Sequence, residues 1–240
     1  MQPYLFEGEL MRFNRTESLI GQNLMEKLQN HTILIFGIGG VGSYACEAIS
    51  RSGFQKIIIV DDDIVDISNI NRQLIALDDT IGLPKVEVMK QRILNINPSC
   101  EVLTFMERVD EKNISHFFSQ KIDFVLECID DLKAKVEIAA YAEKHNIPII
   151  ASMGFANKTH PELIQISSLD KTSVCPLAKA YRYAFRNSGL SLKIPVVFST
   201  EEPIKPVGNV TLGSTAFVPS SAGLLMASYV FNKLLKLEDL

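Results

Sequence analysis

Short, almost wholly apolar runs alternate with segments of helical period through the first two thirds of the chain. The runs at 32–36, 56–60, 102–106, 124–129 and 147–152 have strand length, and a run without polar alternation suits a strand covered on both faces. Between the first two, residues 41–52 read as a helix closed by Gly53, in the usual place of a left-handed cap. Val86, Met89, Ile93 and Ile96 give the apolar stripe of a second helix, opened by Pro84 and stopped by Pro98. A third helix is expected over 132–145. Strand and helix taking turns in this way predict an α/β fold with a mostly parallel sheet flanked by helices.

The two ends of the chain read differently. Leu19, Leu24, Met25 and Leu28 have helical spacing, so residues 1–30 are expected to form a helical arm packed on the edge of the first strand or on another subunit. From Gly154 onwards the alternation breaks down: strands are expected at 162–168 and 194–199, followed by a crossover loop over 200–219 that contains Pro203, Pro206, Gly208 and Gly213. Residues 155–220 are thus assigned to substrate-facing strands and loops, within a single domain over 1–240. The apolar stretch 221–237, interrupted by Ser228, Asn232, Lys233 and Lys236, falls short of the ~20 apolar residues that span a bilayer. It reads as a core or interface helix, with peripheral membrane contact as the alternative and no integral span.

The chemistry gathers where the first two strands end. Residues 32–36 run straight into Gly37-Ile38-Gly39-Gly40-Val41-Gly42, and such glycines allow a tight turn, with phosphate close to the backbone and to the N–H groups of the next helix. Asp61 stands at the carboxyl end of the second strand, where a Rossmann-like fold places the acid that holds a ribose. A glycine turn alone is weak evidence. Here an amide- and guanidinium-bearing loop follows, with Asn69, Asn71, Arg72 and Gln73. A triphosphate needs such groups, because an arginine fork binds phosphate oxygens and neutralises charge as pyrophosphate leaves.

Lys85 opens a helix, a place that the helix dipole disfavours for a cation unless a phosphate is bound there; the alternative is an exposed lysine without a task. Asp130 and Asp131 end another strand. Asp130 could face the same ligand as Asp61, on the magnesium or phosphate side, or merely flank an Asp131 helix cap. Further on, Lys179, Arg182 and Arg186 lie three and four apart, among Tyr181, Tyr183 and Phe185; this pattern suits contact with RNA phosphates and bases, or else an amphipathic surface helix.

Composition adds limits. With a net charge of −4 the chain has no global basic field, so a polyanionic partner must meet a local patch. Cys46, Cys100, Cys128 and Cys175 stand singly, which points to neither a disulfide framework nor a structural zinc site. Together with an N-terminus that carries Glu7, Glu9, Arg12 and Arg15 rather than the apolar core of a secretory signal, this predicts a cytoplasmic protein. His31, His116, His145 and His160 are unclustered and lack metal-ligand spacing.

In order along the chain, Arg12-Phe13-Asn14-Arg15, the glycine turn, Asp61-x-Asp63, Ser68-Asn69-x-Asn71-Arg72-Gln73, Gly82-x-Pro84-Lys85 and Cys128-Ile129-Asp130 resemble the adenylation domain of ubiquitin-activating-type enzymes. Within that superfamily, Asn95-Ile96-Asn97-Pro98, Ser152-Met153-Gly154, Lys171-Thr172, Pro176-Leu177-Ala178 and Ser199-x-Glu201 look like the tRNA threonylcarbamoyladenosine dehydratases. The resemblance implies ATP on Gly37, Gly39, Gly40, Gly42, Asp61, Asp63, Ser68, Asn69, Arg72 and Lys85, with magnesium on Asp130. It also implies a homodimer in which Arg15 reaches the other subunit's site, and a tRNA substrate whose carboxylate is adenylated and then cyclised with loss of water. The alternative within the superfamily is an adenylyltransferase that activates the C-terminus of a ubiquitin-like or sulfur-carrier protein, with such a carrier or a sulfur-transfer protein as partner. Two departures stand out: Cys175 replaces the aspartate that these dehydratases show before Pro-Leu, and the zinc-binding cysteine pairs of the sulfur-carrier enzymes are missing.

Overall fold

Strand β1 (Thr32–Phe36) is buried at every position, as an unbroken apolar run requires of a strand covered on both faces. The computed structural model describes residues 11–205 and 212–237. Around β1 lie β2 (Lys56–Val60), β3 (Glu101–Phe105), β4 (Phe124–Glu127), β5 (Ile149–Ser152), β6 (Ile164–Ser168) and β7 (Pro195–Ser199), in the spatial order β3-β2-β1-β4-β5-β7-β6. All neighbours pair in parallel except β6, which runs antiparallel to β7 at one edge. The chain steps outward from β1 to β2 and β3, then returns to β4 on the other side of β1. That reversal opens a crevice at the carboxyl ends of β1 and β4, the place where such sheets bind ligands.

Alternate residues of each strand feed opposite layers. Ile33, Ile35, Ile57 and Ile59 face one core with α2 (Gln22–Gln29), α3 (Gly42–Arg51), α4 (Lys85–Ile96) and α7 (Phe217–Leu235), which supply Leu28, Ile49, Met89 and Met226. Leu34, Phe36, Ile58 and Val60 face the other, beneath α5 (Leu132–Lys144) and the 3-10 turn Ile114–Phe118. Helix α6 (Pro176–Ser188) extends this second layer over β5 and β7.

The departures from the expected bounds have local causes. β4 stops at Glu127 because that side chain folds forward to accept the N–H of Ile129, 2.9 Å away. β5 begins at Ile149, after a proline that has no N–H to give. Pro84 stands at the cap of α4 rather than inside it. Among the described residues, the N-terminal arm carries α1 (Asn14–Ile20) and α2, which meet at Gly21 with φ of +83°. Met25 and Leu28 of α2 are buried in this chain's own core, while α1 buries none of its residues.

The stretch 221–237 also proves to be part of a core helix. α7 lies on α3 so closely that a Cβ at Gly223 would stand 2.3 Å from the Val41 carbonyl oxygen. Among the described residues no helix is long and apolar enough to cross a membrane. Asn157 ties both described parts of the crossover: it receives the Gly213 N–H on Oδ1 at 2.6 Å and the Ile204 N–H on its carbonyl at 2.7 Å. Pro206 and Gly208, like Glu7 and Glu9, lie outside the described residues.

Candidate active site

The glycine turn joins β1 to α3 in the crevice. Gly37 adopts φ of +86°, a left-handed conformation, and a Cβ at Gly42 would stand 1.7 Å from the Gly37 carbonyl oxygen, so the first and last glycines interlock. Gly39 and Gly40 lie between them, with Gly40 under the side chain of Arg72. No side chain caps α3; the Ser43 N–H donates to the Gly39 carbonyl at 3.0 Å, inside the glycine turn, so the start of the helix and the turn are one unit facing the crevice.

Asp61 braces this turn as well as facing the crevice. Its Oδ2 accepts the Ile38 N–H at 2.6 Å and its Oδ1 accepts the Asp63 N–H at 2.9 Å. Burial pushes the Asp61 carboxyl above the usual range, against the pull of the Lys85 cation and of these two N–H groups. Lys85 is buried, so the exposed, idle lysine that its position allowed is excluded. Its Nζ meets Asp63 Oδ2 at 2.6 Å, and its N–H donates to the Asp63 carbonyl.

The polar loop folds back on itself. Asp66 and Asn69 cap each other across the turn Ile67–Asn69, and Asn69 is buried there. Arg72 Nη1 donates to the Ser68 carbonyl at 2.8 Å and to Asn71 Oδ1 at 3.0 Å, while Asn71 Nδ2 reaches the Ser214 carbonyl. Gln73 ends the polar loop. It is buried beside Gly39, and its Oε1 has no partner. Thr215 Oγ1, next to the Asn71 contact, is likewise buried and unpaired. Orphaned buried acceptors at a crevice favour a polar ligand.

At the end of β4 the two acids separate in role. Asp131 caps α5 through the Ala134 N–H at 3.0 Å and pairs with Arg108 at 2.7 Å. Asp130 is exposed, and among the described residues no hydrogen bond or ion pair engages it. One group of acids brings its carboxylates within metal-binding range of one another, Asp61, Asp62 and Asp63. Asp130 is not among them.

Arg15 sits on α1, exposed, and far from these residues in the architecture. Its neighbour Phe13 packs over Gly53, and Arg12 donates to the Ile96 carbonyl, both at the amino end of the sheet. Within one chain, the arm and the crevice therefore occupy opposite ends.

The basic segment forms an amphipathic surface helix, one of the two readings that its pattern allowed. Tyr181 and Phe185, expected among the base-stacking aromatics, are buried core residues, and Tyr183 alone of the three is exposed. Lys171 lies off the helix, in the turn Leu169–Lys171. Lys179 and Arg186 are exposed on α6, whereas Arg182 is half-buried and donates to the Thr172 carbonyl and hydroxyl. Cys175 caps α6: its buried sulfur accepts the Ala178 N–H at 3.5 Å and the Gly154 N–H at 3.4 Å. An aspartate there would do the same work, which accounts for the exchange. Cys100 is pushed up to about 12 by burial, and burial likewise raises Cys46 and Cys128, so these three thiols are inert.

His160, exposed at the surface, pairs with Glu201. Burial works to raise the Glu201 carboxyl, but the His160 ring and the N–H groups of Thr159 and His160 hold it down at about 2.

A glycine turn at the switch point, an acid at the end of β2, an arginine on the loop that follows and a lysine opening α4 define a Rossmann-like nucleotide-binding fold with groups suited to a polyphosphate. The chain belongs to the ThiF family, which it matches over residues 13–239. It is 43% identical to the tRNA threonylcarbamoyladenosine dehydratase of Bacillus subtilis (strain 168), covering 95% of this chain and 96% of that protein. The crystal structure of the Escherichia coli tRNA N6-threonylcarbamoyladenosine dehydratase in complex with AMP superposes with a TM-score of 0.90 at 33% identity, covering 95% of both chains. The same enzyme in complex with ATP gives a TM-score of 0.89.

Proposed function

We propose that the protein is an ATP-dependent tRNA threonylcarbamoyladenosine dehydratase that acts as a single adenylating domain in the cytoplasm. The observation that carries this reading is near end-to-end similarity to enzymes of that name, joined to a crevice whose glycine turn, Asp61, Arg72 and Lys85 suit ATP. Asp61 accepts the ribose hydroxyls with the lone pairs that Ile38 and Asp63 leave free. The phosphates lie over the glycine turn, where Asn69 and Ser68 shape the loop that presents Arg72. Lys85 exchanges Asp63 for phosphate oxygens. Asp130, free of protein partners, fits the one or two carboxylates that magnesium takes beside phosphates. Magnesium there would neutralise charge on the departing pyrophosphate.

The threonyl carboxylate of the modified adenosine attacks the α-phosphorus, and the bond to pyrophosphate breaks. The carbamoyl oxygen then attacks the acyl carbon, AMP leaves, and the carbamoyl nitrogen gives up a proton as the oxazolone ring closes. This step is intramolecular, so a high effective molarity replaces a protein nucleophile. Lys179, Arg182 and Arg186 supply the local positive patch for tRNA phosphates.

Labelled ATP mixed with threonylcarbamoyl-modified tRNA should release pyrophosphate and yield the cyclic nucleoside, whereas sulfur-carrier proteins should release none. Replacing Lys179, Arg182 and Arg186 together by alanine should raise the tRNA KM and flatten its salt dependence, while the ATP KM holds. Pyrophosphate release driven by a carrier protein instead of tRNA would overturn the reading.

Two subunits complete each site in this reading, because Arg15 lies at the end of the sheet away from its own crevice. The exposed Ile64, Ile67, Ile70, Leu77, Ile81 and Leu83, all on the segment between β2 and α4, offer apolar surface for a second copy. Arg15→Ala mixed with Asp130→Asn should recover part of the activity that each variant lacks, since one site of the mixed dimer carries both native residues. No recovery after verified subunit exchange counts against the shared site.

A further inference from the structure

We propose that the buried Glu127–Lys135 pair is a positioning device that aims Asp130, an inference resting on the magnesium-side reading of Asp130. Both side chains are completely buried, with Lys135 Nζ 2.5 Å from Glu127 Oε2. Stability does not account for them: desolvating two charges offsets their attraction, and apolar residues of similar volume usually serve as well. Lys135 also sits in the first turns of α5, at the end of the dipole that disfavours a cation.

What the pair does hold is one residue of backbone. Glu127 Oε1 accepts the Ile129 N–H at 2.9 Å, and Lys135 Nζ donates to the Ile129 carbonyl at 3.1 Å. Both polar groups of Ile129 are thereby fixed by the two partners of one ion pair. The third bond of the ammonium goes to the Ser152 carbonyl, 2.8 Å away at the end of β5, so the clamp joins two strands. Tyr181 closes it, with its ring 5.4 Å from Nζ and its hydroxyl donating to the Lys135 carbonyl.

Asp130 is the next residue, and among the described residues no hydrogen bond or ion pair holds its side chain. Its aim comes from the peptide that precedes it. The peptide one residue earlier, whose N–H Glu127 accepts, abuts the glycine turn: a Cβ at Gly37 would stand 2.9 Å from the Cys128 carbonyl group and from Ile129 Cγ2. One buried pair thus sets the spacing between the nucleotide turn and the carboxylate, where a displacement of about 1 Å can cost on the order of 10²-fold in rate.

The test measures tRNA-dependent pyrophosphate release by the whole protein across free magnesium concentration. Glu127→Gln/Lys135→Met removes both charges together and strands neither. It should melt cooperatively near the native temperature, need about tenfold more magnesium for half-maximal rate, and lose on the order of 10²-fold in kcat, with the ATP KM at saturating magnesium within about twofold. Added to Asp130→Asn it should cause no further loss, because both act through one carboxylate. An unchanged rate and magnesium requirement in the double variant would overturn the positioning role while leaving Asp130 its own. Losses that multiply in the Asp130→Asn background overturn it as well, since a general weakening of the fold behaves that way. Native rate and magnesium response in Asp130→Asn alone would sink the metal-side reading, and the positioning role with it. Should the double variant not fold, Lys135→Arg, which keeps the charge and changes the donor geometry, is judged by the same two readouts.

Discussion

Two lysines end up beside carboxylates at the same end of the sheet, at nearly the same distance, and they are built for different work. Lys135 and Glu127 are 2.5 Å apart, with side chains 0% exposed; Lys85 and Asp63 are 2.6 Å apart, with side chains 6% and 65% exposed. The first pair has no route to another partner. In the second, the cation is confined while its partner stands in water, and a pair with one solvated member is held weakly. In the reading proposed above Lys85 trades Asp63 for phosphate at little cost, while Lys135 has no such exchange open to it. Distance alone does not separate a structural pair from a working one; the exposure of the acid does.

Substitutions at these pairs should pull the two roles apart. The largest effect is expected from Lys135→Met, which strands a buried carboxylate and should cost roughly 3–5 kcal/mol in urea unfolding. Burial already pushes the Glu127 carboxyl up, with Lys135 as the main counterweight. Without that cation the folded state holds a proton that the unfolded state releases, so the variant should regain stability as pH falls from about 8 toward 5. A loss that is small at both ends of this range would mean that the pair is not the clamp described above. Lys85→Met comes next: tRNA-dependent pyrophosphate release should fall about 10²–10³-fold, as for the loss of one charge-stabilising donor, with the unfolding midpoint nearly unmoved. A variant that unfolds but keeps its rate when folded would reverse the comparison. The smallest effect belongs to Asp63→Asn, which frees Lys85 of its competitor and should tighten ATP by about two- to fivefold, the scale of a half-exposed ion pair. Tenfold weaker ATP binding would instead show that Asp63 holds the nucleotide directly.

How far each pair could be read from the sequence follows from the same difference. Lys85 was marked by position, since a lysine opening a helix just after a polar loop needs a reason. The parallel strands, the glycine turn and Asp61 were legible because each is local: an apolar run, a glycine spacing, an acid at a strand's end. Lys135 carried no such mark. It stands inside a helix of ordinary composition, and only the folding of α5 over β4 and β5 brings it to Glu127, Ile129 and Ser152. The aromatic segment left two readings open for a related reason. Interleaved charges and rings fit an RNA surface and an amphipathic helix equally, and α6 turns Tyr181 and Phe185 inward. Gln73 lay within the motif, but the cue that singles it out, an unpaired buried oxygen beside Gly39, exists only in three dimensions.

The seating of α7 on α3 reaches into how the protein is made. α3 leaves the ribosome early, directly after the glycine turn, but the face that Gly223, Ala222 and Met226 cover stays bare until α7 has been synthesised. A nascent chain that already possesses its glycine turn is thus still unsealed on one side, for the whole time that the segments between α3 and α7 are being translated. Such chains are prone to stick to one another and to recruit chaperones. Bulk at Gly223, 2.3 Å from the Val41 carbonyl, should therefore lower yield during synthesis by more than its effect on the finished protein would suggest.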